Sequence, residues 1–201
     1  MTVLTRVVPP NLPVSPPQYS AAYQNQYSNV LRLYFNALSS TLNAPISYAS
    51  FSDTTTQTTP ANTPKALTYN TIDIASGIIT GAPNSRVRFE YAGIYNLQFS
   101  LQMENSDVAD QDVNIWFRIN GINVSTSTGL ISVPGKHGGV NGHTIAGWNY
   151  VLRIGAGQYV ELIWCPGHAG ITIPYIAAAV GPPAIPAAAS VILTVTTIAI
   201  L

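Results

Sequence analysis

Charge is what this sequence has least of. Only 8% of its 201 residues are charged, eight Lys and Arg against eight Asp and Glu, where an ordinary domain carries about 25%. A balanced and sparse set of charges offers no basic patch for phosphates and no field to hold an anionic membrane, which argues against nucleic-acid binding and electrostatic membrane anchoring. Such poverty of charge fits a chain that hides much of its surface in an assembly. There is one cysteine, Cys165. It can form no internal disulfide, which excludes a stapled secreted scaffold and favours synthesis inside a cell. In YVELIWCPG the thiol reads as a small core hydrophobe at a strand end rather than as a nucleophile. The start, MTVLTRVVPPNLP, lacks the basic region and long apolar run of a signal peptide. A membrane-spanning tail is not expected either. No Lys, Arg, Asp or Glu follows Glu161, but Pro182, Pro183 and Pro186 break the apolar run, and Ser190 to Leu201 falls short of the roughly 20 residues a spanning helix needs.

Apolar and aromatic residues are plentiful, and they crowd into Arg88 to Gln102, RFEYAGIYNLQFSLQ. Leu97, Phe99 and Leu101 alternate with Asn96, Gln98, Ser100 and Gln102, the two-residue period of a strand with one buried face. The Ala92-Gly93 pair before them is a natural place for a bend or bulge. The other strands are expected to lie beside this one.

Residues 1 to 17 hold five of the fifteen prolines and predict an extended arm. Gln18 to Asn43 predicts the one helix, with Tyr27, Leu31, Tyr34, Leu38 and Leu42 forming an apolar stripe that Val30 and Ala37 widen, and Pro45 closing it. The stripe must be covered, either by the chain's own domain or by a bundle of three such helices. Tyr48 to Thr59 reads as an edge strand running into a threonine loop. Ile72 and Ile74 are separated from Ile78 and Ile79 by a Ser76-Gly77 turn, and Glu104 to Asp112 is a polar loop. VNIWFRING ends in Asn120-Gly121, a strong hairpin signal. Val133 to Gly147 is glycine-rich without a sustained period and reads as a surface loop. Two strands flank Gly155-Ala156-Gly157, a further one covers Ile171 to Ala177, and Ser190 to Leu201 reads as a last strand covered on both faces. About eight strands with turns every 8 to 12 residues predict an all-β sandwich.

The order of these motifs resembles a known family. Gly93 and Tyr95 of the aromatic strand, the Asn120-Gly121 turn, and Gly157, Tyr159, Val160 and Glu161 before a terminal apolar strand resemble the jelly roll shared by tumour necrosis factor (TNF) and the globular head of complement component 1q. Gln158 stands where that family prefers aspartate. The resemblance spans about Ile46 to Leu201 and implies a jelly-roll β-sandwich that trimerises through a flat aromatic and apolar sheet face. Lacking the disulfides and signal peptides of the animal members, the chain is similar to bacteriophage relatives of this fold, in which an N-terminal arm or helix docks on the virion and a trimeric head projects outward.

No catalytic constellation emerges. His137 and His143 in the glycine-rich stretch and His168 in PGHAG have neither a tight ligand pair nor helical spacing, so exposed loop histidines are the expectation, and no metal or cofactor is assigned. Glu104, Asp107, Asp110 and Asp112 lack the spacing of a calcium loop and read as solvated acids. The sequon Asn123-Val124-Ser125 is expected to be silent without a secretion signal. Trp116 and Trp164 lie in apolar strands and are expected in the core, whereas Trp148 is the tryptophan to test for sugar binding.

The sequence therefore predicts a homotrimeric structural protein of a phage virion, not an enzyme, made in the host cytoplasm and not inserted in a membrane. Residues 1–43 attach it through Tyr27, Leu31, Tyr34 and Leu38, and residues 46–201 form the trimerising head. The preferred role is a capsid decoration or cement protein on the head surface, bound to the major capsid protein or another virion protein. The alternative is a short tail fibre or spike whose loop, with His137, His143 and Trp148, faces a host-surface glycan.

Overall fold

The computed structural model describes residues 7–42 and 46–201. The arm up to Ser20 has no helix or strand among its described residues, and a single helix, α1 (Ala21–Leu42), follows it. Ser20 caps that helix, its Oγ accepting the Tyr23 N–H at 3.3 Å, which satisfies one of the donors that a helix start leaves open. Pro45, expected to end the helix, lies outside the described residues.

Thirteen strands make up the rest of the described chain: β1 (Tyr48–Asp53), β2 (Lys65–Ala66), β3 (Thr71–Ser76), β4 (Ile78–Thr80), β5 (Val87–Phe89), β6 (Gly93–Asn105), β7 (Gln111–Ile119), β8 (Ile122–Asn123), β9 (Gly129–Val133), β10 (Gly142–Ile154), β11 (Tyr159–Pro166), β12 (Ile171–Thr172) and β13 (Val191–Ile200). They form two sheets. One runs β10-β6-β13-β1-β3 with β12 also on β6; the other runs β4-β5-β11-β7-β8, with β2 on β11 and β9 on β7. Every pairing is antiparallel. The chain crosses between the sheets repeatedly, among other places between β5 and β6, β6 and β7, β9 and β10, and β10 and β11. That alternation makes a jelly-roll sandwich.

Strand β6 lies inside its sheet, paired with β10, β12 and β13, and has the one buried face that its sequence predicts: Tyr95, Leu97, Phe99, Leu101 and Met103 are all buried. Opposite them the second sheet contributes Val113, Ile115, Phe117, Leu162 and Trp164. The rings interlock edge to face, Phe89 with Tyr95 at 4.6 Å and Phe99 with Phe117 at 6.0 Å between centroids. Each such fully buried side chain stabilises the fold by about 1.5–3 kcal/mol through area removed from water alone. The aromatics thus serve mainly the interior of the sandwich. The Gly93 position is one of close approach, since a Cβ there would lie 2.7 Å from the Ala199 carbonyl. The bulge is in the partner strand β13, between Thr197 and Ala199.

Several expectations change in detail. β1 is not an edge strand: β13 pairs with it on one side and β3 on the other, because the chain returns from β2 in the other sheet to lay β3 along it. The Val133 to Gly147 stretch is not all loop, for β10 begins at Gly142. Gly142 and Gly147 lie where a Cβ would strike the carbonyls of Pro134 and Phe99, so those glycines permit close packing rather than looseness. Asn120 (φ 49°) and Gly121 (φ 81°) form the expected tight hairpin turn between β7 and β8. The strand near Ile171 is only two residues long. β13 is covered on one face, with Val191, Leu193 and Val195 buried and Ile192 and Ile198 exposed.

Candidate functional site

Helix α1 carries the predicted stripe. Tyr23, Tyr27, Val30, Leu31, Tyr34 and Leu38 are half-buried and the residues between them exposed, yet no residue from 21 to 40 is buried and none belongs to the hydrophobic core. Two of its large apolar side chains, Leu33 and Phe35, are each 58% exposed. The arm runs back along the first turns, with the Tyr23 hydroxyl donating to the Pro13 carbonyl at 3.2 Å and the Tyr23 and Tyr27 rings stacked at 6.1 Å. A helix of 22 residues with an apolar stripe and no buried residue from 21 to 40 presents that stripe for another surface.

The histidines and carboxylates are distributed among structural bonds. At the end of β6, buried Asn105 donates to the Ala109 and Val133 carbonyls and accepts the Asp107 N–H. Asp107 accepts the Val108 N–H and the Gln111 amide, each at 2.7 Å. The Val108 N–H is the chief reason its carboxyl is held below the usual carboxylate range, with the Gln111 and His168 partners adding to it against an opposing desolvation. Asp110 accepts the Gly135 N–H, and Glu104 accepts the Asn141 amide while lying 3.8 Å from His143 Nδ1. His168 Nδ1 accepts the Gly170 N–H at 3.1 Å and lies 3.5 Å from Asp107, so pairing with Asp107 competes with the Gly170 bond. His137 closes a tight turn with Val140 over two left-handed glycines, Gly138 and Gly139. His143 stands opposite Glu104 on β10. Among the described residues no group of three His, Cys, Asp or Glu could hold a metal ion.

The tryptophans exchange their expected places. Trp148 lies within β10, not in a loop, and points into the sandwich, edge-on to Phe99 at 4.6 Å. Gly129 on β9 makes room for it, since a Cβ there would lie 2.3 Å from the indole. The structure therefore does not bring Trp148 together with His137 and His143 on one ligand-facing loop. Trp164 is in the core, as expected. Trp116 is not. On β7, Val113, Ile115 and Phe117 are buried, which turns Asn114, Trp116 and Arg118 outward.

Around Trp116 the second sheet has an open pocket of about 320 Å³, lined by Asn114, Trp116, Asn123, Val124, Thr128 and Cys165. Trp116 Nε1 donates to Asn123 Oδ1 at 2.9 Å, and Arg118 Nε donates to the same oxygen at 3.1 Å. Cys165 is half-buried in the wall of this pocket rather than in the core, and burial pushes its thiol up. The phase of the alternation in VNIWFRI carried this arrangement, since a Trp in register with Asn and Arg shares their face.

The outward face of the first sheet is mostly neutral, with one carboxylate, Asp73 on β3, accepting the Ser50 and Ser52 hydroxyls at 3.2 Å each. Asn96, Gln98 and Ser100 on β6 stand beside Thr196, Thr194 and Ile192 on β13, and those beside Tyr48, Ser50 and Ser52 on β1. Exposed Ile74 flanks these residues on β3, with Ile145 and Val151 on β10 at the other edge. This face is mainly polar and aliphatic, with Tyr48 its exposed aromatic residue, because most of the aromatic residues are spent on the core.

No protein-family model matches the chain, and no curated protein matches it. Solved structures that share its fold include that of murine APRIL at pH 5.0, a TNF-family protein. The identity is 10% and the TM-score 0.50, over 76% of this chain and 99% of that one. At that identity the likeness is one of fold, and the two antiparallel sheets with their strand order carry the same conclusion: residues from Tyr48 onward form a TNF-like jelly roll.

Proposed function

We propose that this protein is a non-enzymatic structural component of a bacteriophage virion, a homotrimeric decoration or cement protein whose head projects and whose arm and helix bind the shell. The observation that carries the reading is helix α1, amphipathic and without a buried residue from 21 to 40, beside a head that has its own core of buried side chains. Attachment falls to Tyr27, Leu31, Tyr34 and Leu38, the half-buried stripe that an apolar groove on a capsid protein would complete. TNF-like folds commonly form homotrimers, and the outward face of the first sheet around β6 and β13, flanked by Ile74, Ile145 and Val151, is the face we assign to the threefold contact. The capsid surface is the preferred location, with synthesis in the host cytoplasm.

The test separates the two parts. A chain truncated to begin near Ala44 should sediment as a folded trimer and fail to bind particles stripped of the native protein. Binding of the truncated head as tightly as the full chain removes the attachment role, and a clean monomer at micromolar concentration removes the trimer. Copy number on the virion, scaled to the major capsid protein, distinguishes many copies on the head from a few on a tail. A second reading, a short fibre or spike head that binds a host-surface glycan, is favoured by the pocket around outward-facing Trp116.

A further inference from the structure

We propose that the pocket on the second sheet binds an uncharged pyranose ring, with Trp116 as the stacking platform and Asn114 and Asn123 as its amide partners. The inference deepens the second reading of function and rests on the head being displayed with this sheet outward. It does not depend on how the arm attaches.

The chemistry begins with the indole. A sugar ring offers an apolar face of C–H groups and an equatorial rim of hydroxyls, so its receptor needs a flat aromatic surface and amides that both donate and accept. Trp116 presents such a surface in a fixed orientation, because its N–H is bonded to Asn123 Oδ1. A platform already held in place loses little freedom when a ligand arrives. The two donors on Asn123 Oδ1, from Trp116 and Arg118, fix which end of that amide is oxygen. What Asn123 then offers outward is its NH₂ group, a donor for a hydroxyl or ring oxygen.

Asn114 makes no side-chain hydrogen bond among the described residues, so both ends of its amide are available. Thr128 adds a hydroxyl at the rim. None of the six lining residues is charged, and the neighbouring Arg118 has its Nε committed to Asn123 Oδ1 at 3.1 Å, so the lining favours a neutral ring over a nucleotide, whose base would stack equally well but whose phosphate needs a cation. The volume of about 320 Å³ is at the small end of ligand sites, which run from about 300 to 1,000 Å³, so the occupant is a single ring or the end of a chain. The platform sits on β7 and the Asn123 partner on β8, across a tight hairpin, so the site is built on paired strands rather than on a loose loop.

Cys165 supplies a built-in reporter. It is the sole cysteine in the sequence and lines the same pocket, so a small thiol reagent reads occupancy of this site and no other.

The experiment applies the full-length protein to an array of defined neutral oligosaccharides, then titrates the best binder while following Cys165 labelling by mass spectrometry. Binding is expected, saturating sugar is expected to slow labelling several-fold, and Trp116→Ala is expected to weaken binding about tenfold or more, as truncation of a central aromatic anchor does. Asn114→Ala, which removes no packing from the core, provides a second variant that keeps its fold, and it too should weaken the binding. Sugar binding that survives both substitutions and leaves Cys165 labelling unchanged overturns the site while sparing the glycan-binding reading. Absence of any binder on the array overturns both.

Discussion

Gly129 and Trp148 show how one residue fixes the place of another. The indole occupies the space where a Cβ on residue 129 would sit, 2.3 Å from its ring, and it is thereby seated against Phe99. Gly129→Ala should push the indole off Phe99 and destabilise the head by about 1–3 kcal/mol, the cost of overpacking, measured as a lowered urea midpoint. The double variant with Trp148→Phe, which vacates that space, should recover part of the loss. Asp107 gives a pH dependence. Its carboxyl is held low chiefly by the Val108 N–H, so its contribution is present above the ordinary carboxylate value of about 3.9 and is lost as pH falls through the lower folded value. Protection of the Val108 backbone amide and the Gln111 side-chain amide, taken relative to the intrinsic exchange rate at each pH, should therefore fall only below about pH 4, and Asp107→Asn should lower that protection above this pH and remove its dependence on the carboxyl.

At the scale of elements, α1 and β6 bury their apolar residues in opposite ways. In β6 every second side chain is inside the protein, whereas Tyr27, Leu31, Tyr34 and Leu38 on α1 are only half-buried. Substituting Leu31 and Tyr34 together by Asp should leave thermal unfolding of the head unchanged, because neither residue is part of its core. The same pair of changes should abolish binding to stripped particles, since each would place an unpaired carboxylate in an apolar contact. A fall in the melting temperature of the head would instead mean that the stripe is spent on the chain's own fold.

For the whole molecule, the question is which face of the sandwich meets other copies. Gln98 lies on the outward face of the first sheet, between Asn149 of β10 and Thr194 of β13, and is exposed in the single chain. Gln98→Arg would repeat a charge three times about the proposed axis and leave each without a partner. The trimer should weaken by about 100-fold or more, a like-charge cost of several kcal/mol, seen as monomer in light scattering, while the unfolding of each chain shifts by no more than about 0.5 kcal/mol. A change confined to the second sheet, such as Trp116→Ala, should leave the trimer intact and alter only ligand binding.

Much of this was written in local pattern. The alternation of Leu97, Phe99 and Leu101 with polar neighbours fixes a one-sided strand, Asn120-Gly121 fixes a hairpin, and the spacing of Tyr27, Leu31, Tyr34 and Leu38 fixes a one-sided helix, because strand, turn and helix geometry repeat over a few residues. The phase of VNIWFRI also held the outward turn of Trp116, although its apolar setting points to the core. What local pattern does not contain is the identity of the neighbour across space. Tyr48 to Asp53 looks like an edge strand until β3 returns to cover it, and Trp148 looks like the end of a loop until Gly129 opens a seat beside Phe99. Gly142 and Gly147 read as flexibility but are points of close contact with Pro134 and Phe99. The sequence by itself determined the one-sided strand through Leu97, Phe99 and Leu101, the Asn120-Gly121 hairpin and the one-sided helix, because each is set by neighbours a few residues apart. Only the tertiary structure decided which strands are interior, which tryptophan faces solvent and which glycines touch a backbone, because those depend on segments tens of residues apart being packed together.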